Sequence, residues 1–253
     1  MTTRPLIQIY RTLDDLELNA AGEIVRIMKS AIGNRGVCYI ALSGGDTPRG
    51  VYHRIGMQPL RDEVDWSRVQ IFFGDERPVP PSNPLSNFGM AHWELISHVA
   101  IPEENVHRIR GEESTDFAAG EYEQEIVRIF GKQGPHFDLL LLGLGVDGHI
   151  ASLFPGTTAV KEEVEFVSSV YVPSLAGWRV TLTIRSINES RRVLFLVAGE
   201  QKRQIVGKVL GTEVPTKDLP ATMVQPRDGT LRWMIDADAA SDISSAPLAN
   251  AAR

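Results

Sequence analysis

Asp147 and His149 stand two residues apart in Gly143-Leu144-Gly145-Val146-Asp147-Gly148-His149, a loop released directly from the apolar run Asp138-Leu139-Leu140-Leu141-Leu142. A carboxylate beside an imidazole, whose charge changes near neutral pH, is a pairing suited to general acid–base chemistry. The glycines let the backbone turn through conformations closed to other residues, so both side chains are expected to leave the end of a buried strand together.

The same residues match the dinucleotide fingerprint GxGxxG, with Glu162 and Glu165 where a ribose-binding acid could fall. That fingerprint needs a helix opening at its third glycine. Here Ile150-Ala151-Ser152-Leu153-Phe154 runs straight into Pro155-Gly156, and Asp147 would meet an anionic pyrophosphate. A turn in which Asp147 only caps backbone amides is the structural alternative. Nucleophilic catalysis by Ser152 or Ser43 is disfavoured by the lack of a GxSxG elbow. A metal centre is not expected either: no HExxH-type ligand set is present, and His53, His92, His98, His107 and His136 are scattered.

Two further loops follow apolar runs. Ser43-Gly44-Gly45-Asp46-Thr47-Pro48 comes after Val37 to Leu42, and Thr47-Pro48 predicts an N-cap and first turn for a helix running toward Ile55. Amides at Gly44 and Gly45, the Ser43 and Thr47 hydroxyls and the positive helix end together suit a phosphate. The Gly-Lys-Ser/Thr ending of a P-loop is missing. Gly74-Asp75-Glu76-Arg77 closes Val69 to Phe73, and charges set directly behind apolar residues point away from plain surface, although Glu76 could simply pair with Arg77. Asp75 is the first candidate to orient His149 or the substrate. The loop from Pro80 to Asn87 could form a wall of the site before a helix around Met90 to Val99. Arg179, in an alternating strand-like run, and Lys202, in the first turn after Gly199, supply cations. A lysine there opposes the helix dipole unless an anion is also bound.

The elements that must position these loops read as strands at Leu6 to Tyr10, Val37 to Leu42, Val69 to Phe73 and Phe137 to Leu142, joined by amphipathic helices through Leu13 to Met28 and Phe117 to Phe130. Near-continuous apolar strands with helical crossovers imply an α/β fold, its mostly parallel sheet covered by helices on both faces. Ligands of such sheets bind outside the carboxyl ends of the strands, where all three loops fall. Beyond Gly156 the chain reads as strands at Phe166 to Val172, Trp178 to Ile184 and Val193 to Ala198, then a helix from about Glu200 to Leu210.

With 253 residues, 43% of them hydrophobic, the chain can bury a full core, and residues 1–240 are read as one domain with 241–253 as a flexible tail. A net charge of −6 argues against nucleic-acid or anionic-membrane partners, so an anionic ligand must be held by a local donor cluster. Cys38, the single cysteine, reads as a buried hydrophobe. Without a leader-like segment or a long apolar stretch, the expected location is cytoplasmic.

On these segments the chain resembles the 6-phosphogluconolactonase family, most specifically through Gly145-Val146-Asp147-Gly148-His149-Ile150-Ala151-Ser152-Leu153-Phe154-Pro155-Gly156. Arg179-Val180-Thr181-Leu182-Thr183, Phe195 to Gly199 with Lys202, and Pro220-Ala221 with Val224-Gln225-Pro226 look like the family's C-terminal blocks. The resemblance implies a Rossmann-like fold and hydrolysis of 6-phospho-D-glucono-1,5-lactone, without a cofactor, by a monomer or homodimer. His149 would be the general base, with Asp75 or Asp147 fixing its tautomer. Arg77 would hold substrate oxygens or the oxyanion, while Ser43, Gly44, Gly45, Thr47, Arg179 and Lys202 would grip the phosphate. Glucosamine-6-phosphate deaminases share the Asp-Gly-His loop but carry a glutamate before its proline, where this chain has Phe154. A catalytically silent sugar-phosphate binder is the remaining alternative, and it would need only the cradle.

Overall fold

The first strand, β1 (Leu6–Tyr10), leads into α1 (Leu13–Arg35), whose start is fixed by the Thr12 hydroxyl accepting from Asp15 N and whose end is fixed by Gly36 at φ 78°. Leu16, Ala20, Ile24, Ile27 and Met28 recur at helical spacing and are buried. There follow β2 (Cys38–Leu42), α2 (Asp46–Ile55), β3 (Val69–Phe73), β4 (Asp75–Glu76), α3 (Asn87–Glu94), α4 (Thr115–Phe130), β5 (Leu139–Leu142), β6 (Val167–Val172), β7 (Gly177–Leu182), α5 (Ile184–Asn188), β8 (Arg192–Val197), α6 (Arg203–Leu210) and β9 (Thr230–Asp236). This computed structural model describes residues 5–243, so the tail expected from residue 241 lies, beyond its first three residues, outside the described residues.

Six strands form one parallel sheet in the order β1-β9-β8-β5-β2-β3. One face, through Ile40, Leu42, Ile71 and Leu141, packs on Ile24 and Met28 of α1 and Tyr52 and Ile55 of α2. The other sets Tyr39 and Phe72 against Phe130 of α4, at ring separations of 4.8 and 5.5 Å. Helices thus cover both faces, as the apolar strands require. A second sheet, antiparallel in the order β4-β7-β6, stands on the short strand that continues from β3 through Gly74. No helix among the described residues is long and apolar enough to cross a membrane.

Several boundaries differ from the sequence reading. Helix α2 opens at Asp46, because Gly45 at φ 109° turns the chain two residues earlier; Thr47 is therefore a first-turn residue and not the cap. Helix α3 begins at Asn87 and ends at Glu94, drawn forward by the Ser86 hydroxyl, which accepts from Gly89 N, and by Glu76. Strand β7 stops at Leu182, and Thr183 caps α5.

Candidate active site

The loops after β2, β3 and β5 meet at the carboxyl end of the parallel sheet around a cavity of about 330 Å³. Ser43, Gly44, Gly45, Thr47, Asp75, Arg77, His149 and Lys202 all line it. Two larger hollows, of about 510 and 1000 Å³, contain no residue of these three loops.

His149 is held from three sides. Asp147 Oδ1 lies 2.5 Å from its Nδ1 and accepts from its backbone N–H at 3.2 Å. Since a carboxylate only accepts, Nδ1 carries a hydrogen, which leaves Nε2 as the ring nitrogen free to exchange a proton with a guest. Phe154 stacks on the ring at 3.9 Å between centroids. Gly145 lies so close beneath it that a Cβ there would fall 2.0 Å from Nδ1. The loop is closed by Gly145 N–H donating to His149 O at 2.9 Å and Gly148 N–H to Gly145 O at 3.0 Å. Ala151, on the cavity wall, holds φ 45°, a left-handed conformation that costs a non-glycine residue about 1–2 kcal/mol. Burial pushes the Asp147 carboxyl up, but the charge and hydrogen bonds of His149 outweigh it and hold it below the ordinary aspartate range.

Asp75 has different partners. Its Oδ2 accepts from Ser152 Oγ at 2.7 Å and its Oδ1 from Asn87 Nδ2 at 2.9 Å, because pairing of β4 with β7 turns it toward these buried groups. The carboxylate that touches His149 is Asp147, and Asp75 stands behind the wall as an acceptor for two neutral donors. Ser152 is 2% exposed, donates to Asp75 and does not line the cavity, so it is poorly placed for a nucleophile.

Glu76 does not pair with the Arg77 side chain. It accepts the backbone N–H groups of Arg77, Asn87 and Phe88 at 2.7–2.9 Å and the Ser86 hydroxyl at 3.0 Å, and so anchors the start of α3. Burial pushes its carboxyl up against these hydrogen bonds. Arg77 donates to Leu85 O. Arg179 donates to Trp178 O and lies outside the cavity wall; burial first, then the like charge of Arg77, holds its guanidinium below the usual value. Lys202 ends the turn Glu200–Lys202 just before α6, and burial lowers its ammonium group against the opposing pull of Asp147. Among the described residues, Arg77, Arg179 and Lys202 have no carboxylate within 4.0 Å in a molecule whose arginines are otherwise widely paired.

At the phosphate-type loop, α2 begins without a side-chain cap, so its first amides have no intrahelical partner. Ser43 is fixed by the Tyr52 hydroxyl, which takes the Ser43 N–H at 2.9 Å and donates to Ser43 O at 2.8 Å. Among the described residues, buried Ser43 Oγ and Asn87 Oδ1 have no hydrogen-bond partner. Asn87 and Gln201 are wall residues that the sequence did not single out. Asn87 ends the loop expected to form a wall, but nothing in its spacing marks it. No group of three or more His, Cys, Asp or Glu among the described residues could hold a metal ion.

This architecture has many relatives. The 6-phosphogluconolactonase of Synechocystis sp. is 39% identical over 223 residues, covering 86% of this chain and 89% of the relative. The solved 6-phosphogluconolactonase from Trypanosoma cruzi superposes with a TM-score of 0.85 at 29% identity, covering 97% of this chain and 99% of that one. A monomeric glucosamine-6-phosphate deaminase shares the fold at a TM-score of 0.79 and 22% identity, covering 94% and 99%. The model of the glucosamine-6-phosphate isomerases/6-phosphogluconolactonase family matches residues 11–233, and this chain belongs to that family.

Proposed function

We propose that the protein hydrolyses 6-phospho-D-glucono-1,5-lactone to 6-phospho-D-gluconate, the lactone-opening step of the oxidative pentose phosphate pathway. The observation that carries this reading is His149: Asp147 lies 2.5 Å from its Nδ1, and the ring borders the same cavity as the unpaired Lys202 and Arg77. The lactone is already an activated ester. It needs an aligned water, a base and a stabiliser for the carbonyl oxyanion.

His149 Nε2 takes a proton from water as the oxygen adds to the lactone carbonyl carbon. Asp147 steadies the imidazolium that forms. As the tetrahedral intermediate collapses, the bond from that carbon to the ring oxygen breaks and the imidazolium returns its proton to the departing oxygen. Arg77 stabilises the oxyanion. The amides and hydroxyls of Ser43 to Thr47, with Lys202, hold the phosphate at the far end, so that remote binding energy orients the reacting carbon.

A deaminase reading would need a proton-transferring group where Phe154 packs against His149, and a phenyl ring cannot supply one. The decisive assay follows freshly generated 6-phosphogluconolactone above its spontaneous opening, with His149→Ala alongside. Turnover by the native protein alone supports the reading. Tight ligand binding by both proteins without turnover by either would replace it with a sugar-phosphate binding protein.

A further inference from the structure

We propose that Asn87 is a positioning residue that sets the spacing between the phosphate cradle and the His149 loop, and thereby the preference for a phosphorylated lactone. This inference rests on the functional reading above. Asn87 is 2% exposed. Its Nδ2 donates to both the backbone O and Oδ1 of Asp75, each at 2.9 Å, and its own N–H donates to Glu76 Oε1 at 2.7 Å. Both partners of Nδ2 are acceptors only, so the amide cannot flip without setting oxygen against oxygen. Its Oδ1 is therefore forced to the opposite side, over Gly44.

The contact with Gly44 is close. A Cβ built on Gly44 would lie 1.9 Å from Asn87 Oδ1 and 2.6 Å from its Cγ, so the amide fills the space where a side chain of residue 44 would stand. Asp75, on its other oxygen, accepts from Ser152 Oγ, three residues beyond His149. One buried chain of contacts thus runs from Gly44 through Asn87 and Asp75 to Ser152. It joins the loop that holds the phosphate to the loop that carries the base. Asn87 Oδ1 has no hydrogen-bond partner among the described residues, which is the cost of using the amide as a spacer instead of a fully bonded group.

A substrate with a charged group at one end and a reacting carbon at the other senses that spacing; a lactone without the phosphate is anchored at one end only. Four proteins test the inference: native, Asn87→Ala, Gly44→Ala and the double variant. Each is assayed with 6-phosphogluconolactone and with unphosphorylated glucono-1,5-lactone, and each is titrated with inorganic phosphate. Asn87→Ala is expected to raise KM for the phosphorylated lactone about tenfold, with a smaller fall in kcat and a smaller loss on the unphosphorylated lactone. Gly44→Ala is expected to do at least as much damage alone, yet add little in the Asn87→Ala background, because the atom it collides with is gone. Asn87→Ser, which loses the amide and with it both the donation to Asp75 and the oxygen over Gly44, should reproduce the KM effect, and its small polar side chain covers the case in which the alanine variant fails to fold.

Equal losses on both lactones, or single-variant losses that simply multiply in the double variant, would overturn the inference. If the native protein opens neither lactone, the functional reading fails instead. The phosphate affinities of the four proteins then still report whether Asn87 and Gly44 are coupled.

Discussion

Two buried carboxylates at opposite ends of the parallel sheet are treated in opposite ways. Asp138, just ahead of β5, is fully buried and surrounded by compensation: Arg35 pairs with it, Arg191 lies 3.5 Å away and Tyr39 N–H donates to it at 3.0 Å. Asp75, just beyond β3, is nearly as buried but is satisfied by neutral donors, while the cations near it have no carboxylate of their own. At the first end charge is neutralised within the fold. At the second, positive charge is held in reserve, which strains an empty protein and suits an anionic guest.

Removing the proposed base should have the largest effect. His149→Ala is expected to lower kcat by about 10²–10⁴-fold with KM near native, measured on fresh lactone. Next, Asp138→Ala should cost about 1–3 kcal/mol of stability in denaturant unfolding, since it leaves the Tyr39 N–H without its acceptor while the part-exposed Arg35 and Arg191 turn to water, and kcat of the folded fraction stays native. A loss of turnover without a loss of stability would break the contrast between the two ends. Lys202→Met should raise KM for the phosphorylated lactone by about 10–100-fold and leave the melting temperature unchanged or higher, because it removes a cation that burial disfavours.

The smallest effect sharpens the same point through pH. The Lys202 ammonium group is lowered by burial in the free protein, so the unfolded chain binds more protons between that lowered value and the ordinary lysine value near ~10.4. Stability of the free protein therefore gains a small contribution as pH rises through this window. Phosphate affinity should weaken over the same window, because binding requires the charged amine. Calorimetry in buffers of different ionisation enthalpy should show proton uptake on phosphate binding there, and none in Lys202→Met.

The parallel sheet was legible because its strands are almost wholly apolar and its helices keep a regular buried stripe, as in Leu16, Ala20, Ile24 and Ile27. The three loops were legible because glycines and charges follow those strands directly. What escaped is what long-range contacts decide. Strand β4 is two residues long and exists only by pairing with β7, about a hundred positions away. Strand β9 mixes Thr230 and Arg232 with its apolar residues and was not anticipated. Asn87 reaches the cavity because Glu76 gathers the amides that open α3, a link no local spacing records. The choice between Asp75 and Asp147 beside His149 likewise turned on a distant pairing, which sets Asp75 opposite Thr181 of β7 with its carboxylate on Asn87 and Ser152.

The order β1-β9-β8-β5-β2-β3 has a consequence for how the chain is made. β9 lies between β8 and β1, so β1 has no neighbour to pair with until residues 230–236 have followed it from the ribosome. Until then β1 stays unpaired, and once residues 192–197 have been made the edge of β8 is also open to other chains. A nascent protein halted before β9 would carry every residue that lines the 330 Å³ cavity and still be a candidate for aggregation. Strand β9 lends no residue to the cavity, but it joins β1 to the rest of the sheet.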